Sequence, residues 1–107
     1  ARVSRAVLNK HRAARPFLDA LYRPDNHWIA PPDPDTMVCR CEEVRAGEIR
    51  RLVSGQNCPG PNQMKSFVRC GMGPCQGRLC GLTTVELIAE CRGVAVTKSG
   101  IIEYGLR

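Results

Sequence analysis

The sequence predicts a small, mainly α domain that needs an additional stabilising element, such as a disulfide, a metal or a partner subunit. The chain has 107 residues, enough for one domain, and only 5% of them are aromatic. The core is therefore modest, and a domain of this size usually adds a disulfide, a metal or a partner subunit. Six of the seven cysteines fall between residues 39 and 80. Stretches with helical periodicity lie before, between and after these cysteines.

The N-terminal segment, residues 1–23, is predicted to be a basic amphipathic helix. Apolar residues recur at helical spacing from Val3 to Leu21, and the segment carries six Lys/Arg against one Asp. Pro16 removes a backbone hydrogen bond, so two shorter helices, the second opened by Pro16, are the alternative. An Arg-rich, acid-poor start also occurs in transit peptides. A docking or linking helix is favoured.

Residues 24–36 are predicted to be a proline-rich linker in extended or turn conformation. They hold four of the eight prolines and have little periodicity. We expect Trp28 to pack against a surface, and His27 to be an exposed loop residue rather than a ligand.

The folded unit is predicted to span residues 37–107 and to contain three helices. The first runs from Val44 to Ser54 and ends before Gly55. The second runs from Pro61 to Arg69 and buries Met64, Phe67 and Val68. The third begins at a capping box, Thr83 to Glu86, and ends at Gly93. A short strand or a packed tail is expected near Ile101–Tyr104.

Two cysteine clusters carry the chemistry. Cys39 and Cys41 are one residue apart, so both can reach one metal centre only where the backbone bends. The second cluster, Cys70, Cys75 and Cys80, lies in a glycine-rich stretch whose backbone can approach a bound group closely. Zinc modules usually pair cysteines two residues apart, so this spacing favours an iron–sulfur cluster over a structural zinc ion. The residues alone leave Cys75 to pair with either Cys70 or Cys80, and Cys58 is a spare candidate.

A specific set of motifs then points to a family. The segment from Val38 to Gly93 resembles the bacterioferritin-associated-ferredoxin-like (BFD-like) [2Fe–2S] domain, a small helix-turn-helix fold around its cluster. The motifs that carry the resemblance are Val38–Val44, Gly60–Lys65, Arg69–Arg78, Leu79–Gly81 and Thr84–Ile88. The resemblance implies that Cys39, Cys41, Cys75 and Cys80 are the cluster ligands.

The match is close to the branch found in flavin-dependent heteromeric dehydrogenases: opine oxidases, proline and hydroxyproline dehydrogenases, sarcosine-oxidase-like complexes and cyanide synthase. The resemblance therefore implies an electron-transfer role in oxidising a C–N bond of an opine, amino acid or imino acid. No G-x-G-x-x-G motif precedes the domain. FAD or FMN is accordingly expected on flavoprotein partner subunits and not on this chain.

The remaining patterns bear on location, catalysis and rival functions. No signal peptide and no apolar run long enough to span a membrane is found, so a reducing, cytoplasmic setting is expected. No catalytic set is recognisable, so any enzymatic activity belongs to the complex. One alternative is a zinc-stabilised helix-turn-helix module, but its third helix offers no row of base-reading side chains, and no nucleic-acid partner is predicted. The other is a free regulatory ferredoxin that docks on a storage protein.

Overall fold

The computed structural model describes residues 2–56 and 58–96. Within them lie six helices and one two-stranded antiparallel hairpin, so the predicted mainly α class is confirmed. In chain order they are α1 (Arg2–His11), α2 (Arg15–Leu21), α3 (Asn26–Ile29), β1 (Met37–Cys39), β2 (Val44–Arg45), α4 (Ala46–Gln56), α5 (Pro61–Val68) and α6 (Gly81–Arg92). The strand expected near Ile101–Tyr104 lies outside the described residues.

The N-terminal segment forms two helices, so the prediction of one continuous helix is wrong and the alternative of a break near Pro16 is confirmed. Pro16 lies in the first turn of α2, where its missing N–H has no helical partner to lose. Every side chain from residue 4 to residue 28 is exposed, including the apolar Phe17, Leu18 and Leu21. The apolar stripe of these helices is therefore not covered by any described part of the chain.

The proline-rich segment contains a one-turn helix, α3, which the sequence did not predict. The Asp25 carboxylate accepts the backbone N–H of His27 at 2.9 Å and starts this turn. Trp28 stacks on His27, with 5.1 Å between the ring centroids, and remains 74% exposed. The prediction that Trp28 packs against a surface is therefore wrong.

The end of this segment lies along the start of α4. The backbone N–H groups of Gly47 and Ala46 donate to the carbonyl oxygens of Pro34 (2.9 Å) and Thr36 (3.0 Å). Arg50 donates to the Pro31 carbonyl oxygen at 2.9 Å. A Cβ atom at Gly47 would lie 2.8 Å from the Pro34 Cβ, so glycine permits this close approach.

The first helix of the folded unit begins two residues later than predicted. Val44 lies in β2 and pairs with Cys39 of β1, and α4 begins at Ala46. Glu43 adopts a left-handed conformation, with φ of 56°, which reverses the chain between the two strands. Gly55 lies inside α4 rather than beyond its end, so the predicted glycine stop is also wrong.

The core lies mainly between α4 and α6, with α5 packed against both. Ile49 of α4, Met64 of α5 and Leu87 of α6 are its largest fully buried side chains. Each such side chain contributes about 1.5–3 kcal/mol through burial of apolar surface. Phe67, predicted to be buried, is 46% exposed, while Val68 is half-buried.

The helices on either side of the second cysteine cluster end where the backbone becomes left-handed. α5 begins at Pro61, as predicted, and ends before Arg69, whose φ is 56°. α6 ends before Gly93 with a φ of 62°, also as predicted. Its start differs, because the helix begins at Gly81 with Cys80 as the preceding residue and no side-chain cap. The predicted capping box is wrong, since Thr83 lies inside α6 and no side-chain cap precedes it.

The longest helix within residues 2–56 and 58–96 is α6, which has 12 residues. About 20 apolar residues are needed to cross a bilayer. None of the described helices meets that requirement.

Candidate metal centre

The first cysteine cluster lies at the tip of the β1–β2 hairpin. Cys39 is the last residue of β1 and is 1% exposed, whereas Cys41 lies in the turn and is exposed. The turn supplies the bend that the C-x-C spacing requires. In an extended strand two residues at i and i+2 share a face but lie about 6.6 Å apart, so the bend is what can bring the two sulfurs to one centre.

The second cysteine cluster lies in a series of tight turns between α5 and α6. Gly71 and Gly77 have φ values of 85° and 76°, which glycine adopts without strain. Gln76 has a φ of 51°, and its side-chain amide donates to the carbonyl oxygens of Met72 (3.1 Å) and Gly73 (3.0 Å). Gln76 thus closes the loop, a role that sequence reasoning missed.

The two cysteine loops touch at Gly73. A Cβ atom at this position would overlap the Cys41 Cβ and lie 3.2 Å from both Cys41 Sγ and Glu42 Oε1. Glycine is therefore required for the loops to meet. Sequence reasoning expected the glycines to admit a bound group and did not foresee this contact between the loops.

An ion pair provides a second tie between the loops. Arg69, at the end of α5, donates from Nε to Glu42 Oε2 at 2.9 Å. The Glu42 side chain is only 19% exposed, although sequence reasoning treated it as a solvated carboxylate. The two residues are 27 positions apart, so no local pattern could have identified the pair.

Three of the cysteine sulfurs form one compact group. Those of Cys39, Cys70 and Cys80 all lie within 4.8 Å of one another. Outside this group, the Cys41 thiol acts on Cys75 and lowers the pKa of that thiol. All these cysteines are free thiols. The structure therefore brings cysteines of both loops together, and two of the predicted ligands, Cys39 and Cys80, share the buried group with Cys70.

Backbone N–H groups favour the thiolate form of Cys39. Burial alone would raise the pKa of this thiol. The backbone N–H groups of Gly71, Glu42 and Cys41, together with the Cys80 thiol, more than offset burial and lower the pKa below its ordinary value.

Cys75 is stabilised in the same way from its own loop. The backbone N–H of Leu79 makes the largest contribution to lowering its pKa. The Cys41 thiol and the N–H groups of Gly77 and Arg78 lower it further. These donors belong to the turn before α6, and hydrogen bonds from turn N–H groups to sulfur stabilise a negatively charged centre.

Cys80 and Cys70 behave differently because hydrogen bonds do not offset burial there. Burial, followed by the nearby Cys70 and Cys39 sulfurs, raises the pKa of Cys80 to about 12. Burial also raises the pKa of Cys70. The sulfur of Cys70 lies 3.4 Å from Thr84 Oγ1, and the Thr84 hydroxyl also donates to the Cys80 carbonyl oxygen at 2.9 Å.

The remaining two cysteines, Cys58 and Cys91, pack within the fold. Cys58, the spare candidate, is buried, and its thiol lies 3.5 Å from the Gly60 carbonyl oxygen. Cys91 is half-buried and packs against the core. Among the described residues, neither joins the buried group of Cys39, Cys70 and Cys80.

Exposed apolar and cationic side chains surround the cysteines. Leu79, next to Cys80, is 74% exposed, and Met37, two residues before Cys39, is 38% exposed. Both line a groove of about 520 Å³ that also includes Trp28 and Arg40. This groove is the apolar surface nearest to the cysteine loops on that side of the molecule.

The donor set fits a two-iron cluster. A [2Fe–2S] cluster is held by cysteine thiolates, and the structure brings cysteines of both loops together. Backbone N–H groups directed at sulfur are the neighbours that such a cluster requires. The fold and site therefore define a small helical module that binds a metal cluster through cysteines from two loops.

Comparison with known families identifies the module. The family model for the BFD-like [2Fe–2S] binding domain matches residues 37–90, and the chain belongs to this family. The matched region includes both cysteine loops and nearly all of α6. No solved structure matches the chain.

Several curated proteins are similar to this chain. An opine oxidase subunit from Rhizobium meliloti (strain 1021) is 46% identical over 101 residues, which are 94% of this chain and 22% of that protein. The hydrogen cyanide synthase subunit HcnB of Pseudomonas aeruginosa is 46% identical over 46 residues, 43% of this chain and 10% of that protein. A subunit of the anaerobic glycerol-3-phosphate dehydrogenase of Escherichia coli (strain K12) is 38% identical over 53 residues, 50% of this chain and 10% of that protein. The chain thus spans about a fifth, or less, of the length of these relatives.

Proposed function

We propose that this chain is the electron-transfer [2Fe–2S] component of a flavin-dependent dehydrogenase complex that oxidises a C–N bond. The substrate class is an opine, or an amino or imino acid of the proline or hydroxyproline type. The observation that carries the proposal is that cysteines of two distant loops meet: Cys39 lies with Cys70 and Cys80, and Gly73 lies against Cys41, within the region that the family model matches. The similarity to the opine oxidase subunit, which extends over 94% of the chain and includes the N-terminal helices, supports the substrate class.

The proposed ligands are Cys39, Cys41, Cys75 and Cys80. Cys39 with Cys80 would hold one iron, and Cys41 with Cys75 would hold the other. Cys70 is left out of this set because the family motif places the second ligand pair at the positions of Cys75 and Cys80. When bound, the cluster accepts and donates electrons one at a time.

The residues of this chain hold and tune that cluster. Backbone N–H groups from both loops stabilise added negative charge on the sulfurs, which favours the reduced state. The buried Cys39 and Cys80 exclude water from one side. Cys41 is exposed, so electrons would enter or leave on the opposite side, close to the protein surface.

The partners proposed for this chain are flavoprotein subunits. A flavin takes two electrons from the substrate, and a one-electron centre can pass them on singly. The exposed apolar stripe of α1 and α2, with its basic side chains, is the proposed attachment surface. The groove lined by Met37 and Leu79 lies next to Cys39 and Cys80 and is the proposed contact nearest the cluster.

Ligand identity is tested by replacing single cysteines with serine in the full chain, purified without oxygen. We expect Cys39→Ser, Cys41→Ser and Cys75→Ser to lose the visible absorption and about two irons per chain. Cys58→Ser is the matched control, since its thiol bonds only within its own turn, and it should keep the colour.

The choice between Cys70 and Cys80 needs one further variant. Cys70→Ser should keep the cluster and Cys80→Ser should lose it. Because the sulfur of Cys70 lies within 4.8 Å of Cys80, partial retention in Cys80→Ser is tested with the Cys70→Ser/Cys80→Ser double variant. A colourless Cys70→Ser protein beside a coloured Cys80→Ser protein would reverse the assignment.

The electron relay is tested on the complex assembled with its partner subunits. Under anaerobic conditions, an opine or hydroxyproline should reduce the cluster, which is followed by electron paramagnetic resonance. In Cys75→Ser, the flavin should still be reduced while the electrons fail to reach an added acceptor. Cluster reduction by glycerol 3-phosphate, with no response to an opine or an imino acid, would contradict the substrate class.

A further inference from the structure

Three buried sulfurs form a compact group at the inner side of the metal centre. Cys39, Cys70 and Cys80 lie within 4.8 Å of one another and are 1–3% exposed. Cys39 and Cys80 are proposed cluster ligands, whereas the cluster does not use Cys70. Cys70 therefore completes a pocket of three sulfurs. Two of them, those of Cys39 and Cys80, also belong to the proposed cluster site.

We propose that the cluster-free chain binds a single soft divalent cation of the zinc class at Cys39, Cys70 and Cys80. Thiolates are the preferred ligands of such ions, with metal–sulfur distances of about 2.3 Å and sulfur–sulfur distances of about 3.8 Å. The three sulfurs need to close by about 1 Å or less from their present separations. Binding displaces the three thiol protons to solvent and involves no redox step.

Burial distinguishes this pocket from the four-sulfur cluster site. Cys41 is exposed and Cys75 is half-buried, so water competes for a cation near them. The three-sulfur pocket lies within the hydrophobic core, in the same cluster as Leu87 and Ile88, where a cation attracts thiolates more strongly. A divalent ion also leaves a single net negative charge on three thiolates, which limits the cost of burial.

The consequence is mutual exclusion between the cation and the cluster. The ion occupies Cys39 and Cys80, one from each proposed iron-binding loop, so the cluster cannot form while it is bound. The inference concerns the cluster-free protein and uses no substrate, so its outcome is independent of the proposed dehydrogenase function.

The test titrates cadmium chloride, as the probe, into the anaerobic cluster-free chain and follows sulfur-to-cadmium charge transfer in the ultraviolet. Wild type should bind about one ion per chain. Cys70→Ser should weaken binding by at least about tenfold, because a ligand is removed. The matched variants Cys41→Ser and Cys75→Ser should bind as wild type does.

A second measurement does not depend on any variant folding. Alkylation of the wild-type chain at a denaturant concentration that makes the buried thiols reactive without cadmium, read by peptide mass spectrometry, should show that cadmium protects Cys39, Cys70 and Cys80 but leaves Cys41 and Cys75 reactive. Cadmium added first should also slow cluster reconstitution from iron and sulfide. Protection of Cys41 and Cys75 in place of Cys70, unchanged affinity in Cys70→Ser, or no binding at all would overturn the proposal.

Discussion

Replacing Gly73 with alanine gives the sharpest test of how the two cysteine loops meet. A Cβ atom at this position would overlap the Cys41 Cβ and lie 3.2 Å from both Cys41 Sγ and Glu42 Oε1. Carbon atoms in favourable contact are about 3.5–4.0 Å apart, so the loop that carries Cys41 must move by about 1 Å or more. Gly73 is not among the glycines with positive φ, so the effect of alanine is steric.

The expected result is loss of the cluster with only moderate loss of fold stability. Metal sites tolerate ligand displacements of about 0.2 Å, far less than this movement. Overpacking of this kind costs about 1–3 kcal/mol, and each kcal/mol lowers the melting temperature of a domain this size by about 4–8 °C. The assays are iron content and visible absorption for the cluster, and thermal unfolding by circular dichroism for the cluster-free chain.

Gly55→Ala is the matched control for this experiment. Gly55 lies in α4, and no heavy atom lies within 4 Å of the position that a Cβ would take there, so alanine adds no clash. It should keep the cluster and stabilise the helix by about 0.5–1 kcal/mol. A Gly73→Ala protein with full iron content would refute the close contact between the loops.

Three further predictions follow from the packing and the ion pairs. Leu87→Ala should lower the free energy of unfolding by about 2–5 kcal/mol, because Leu87 of α6 is fully buried in the core with α4. Denaturant unfolding measures this change. A loss below about 1 kcal/mol would contradict the core described above. Arg69→Gln should speed the release of iron to a chelator by at most about fivefold, because Arg69 is 65% exposed and an exposed ion pair contributes little. The control is Arg15→Gln, which breaks the exposed pair with Asp19 and should not change the rate. Deleting residues 1–23 should leave the iron content unchanged and abolish co-purification with a flavoprotein. Loss of iron would instead show that these helices belong to the folded unit.

Local signals in the sequence predicted much of the fold correctly. Pro16 separates two helices, Pro61 opens α5, and Gly93 ends α6 in the left-handed conformation. These residues restrict φ or remove a donor whatever surrounds them, so their effect can be read without a structure.

Where prediction failed, a partner outside the local pattern decided the outcome. Val44 has the apolar character of a helix position but pairs with Cys39 in a hairpin. Thr83 has the character of an N-cap, but the turns of the cysteine loop run directly into α6, which starts at Gly81. In both cases the structure around the residue overrode its local propensity.

The sequence by itself determined that this chain carries two cysteine-rich loops, that glycines and prolines set the ends of its helices, and that it belongs with BFD-like [2Fe–2S] domains. Only the tertiary structure decided which sulfurs lie together and that a fifth, Cys70, joins Cys39 and Cys80. It also decided that Glu42 is tied to Arg69. The physical reason is distance along the chain: backbone preferences act within a few residues, whereas contacts between the loops form only when the packing of α4 against α6 brings them together.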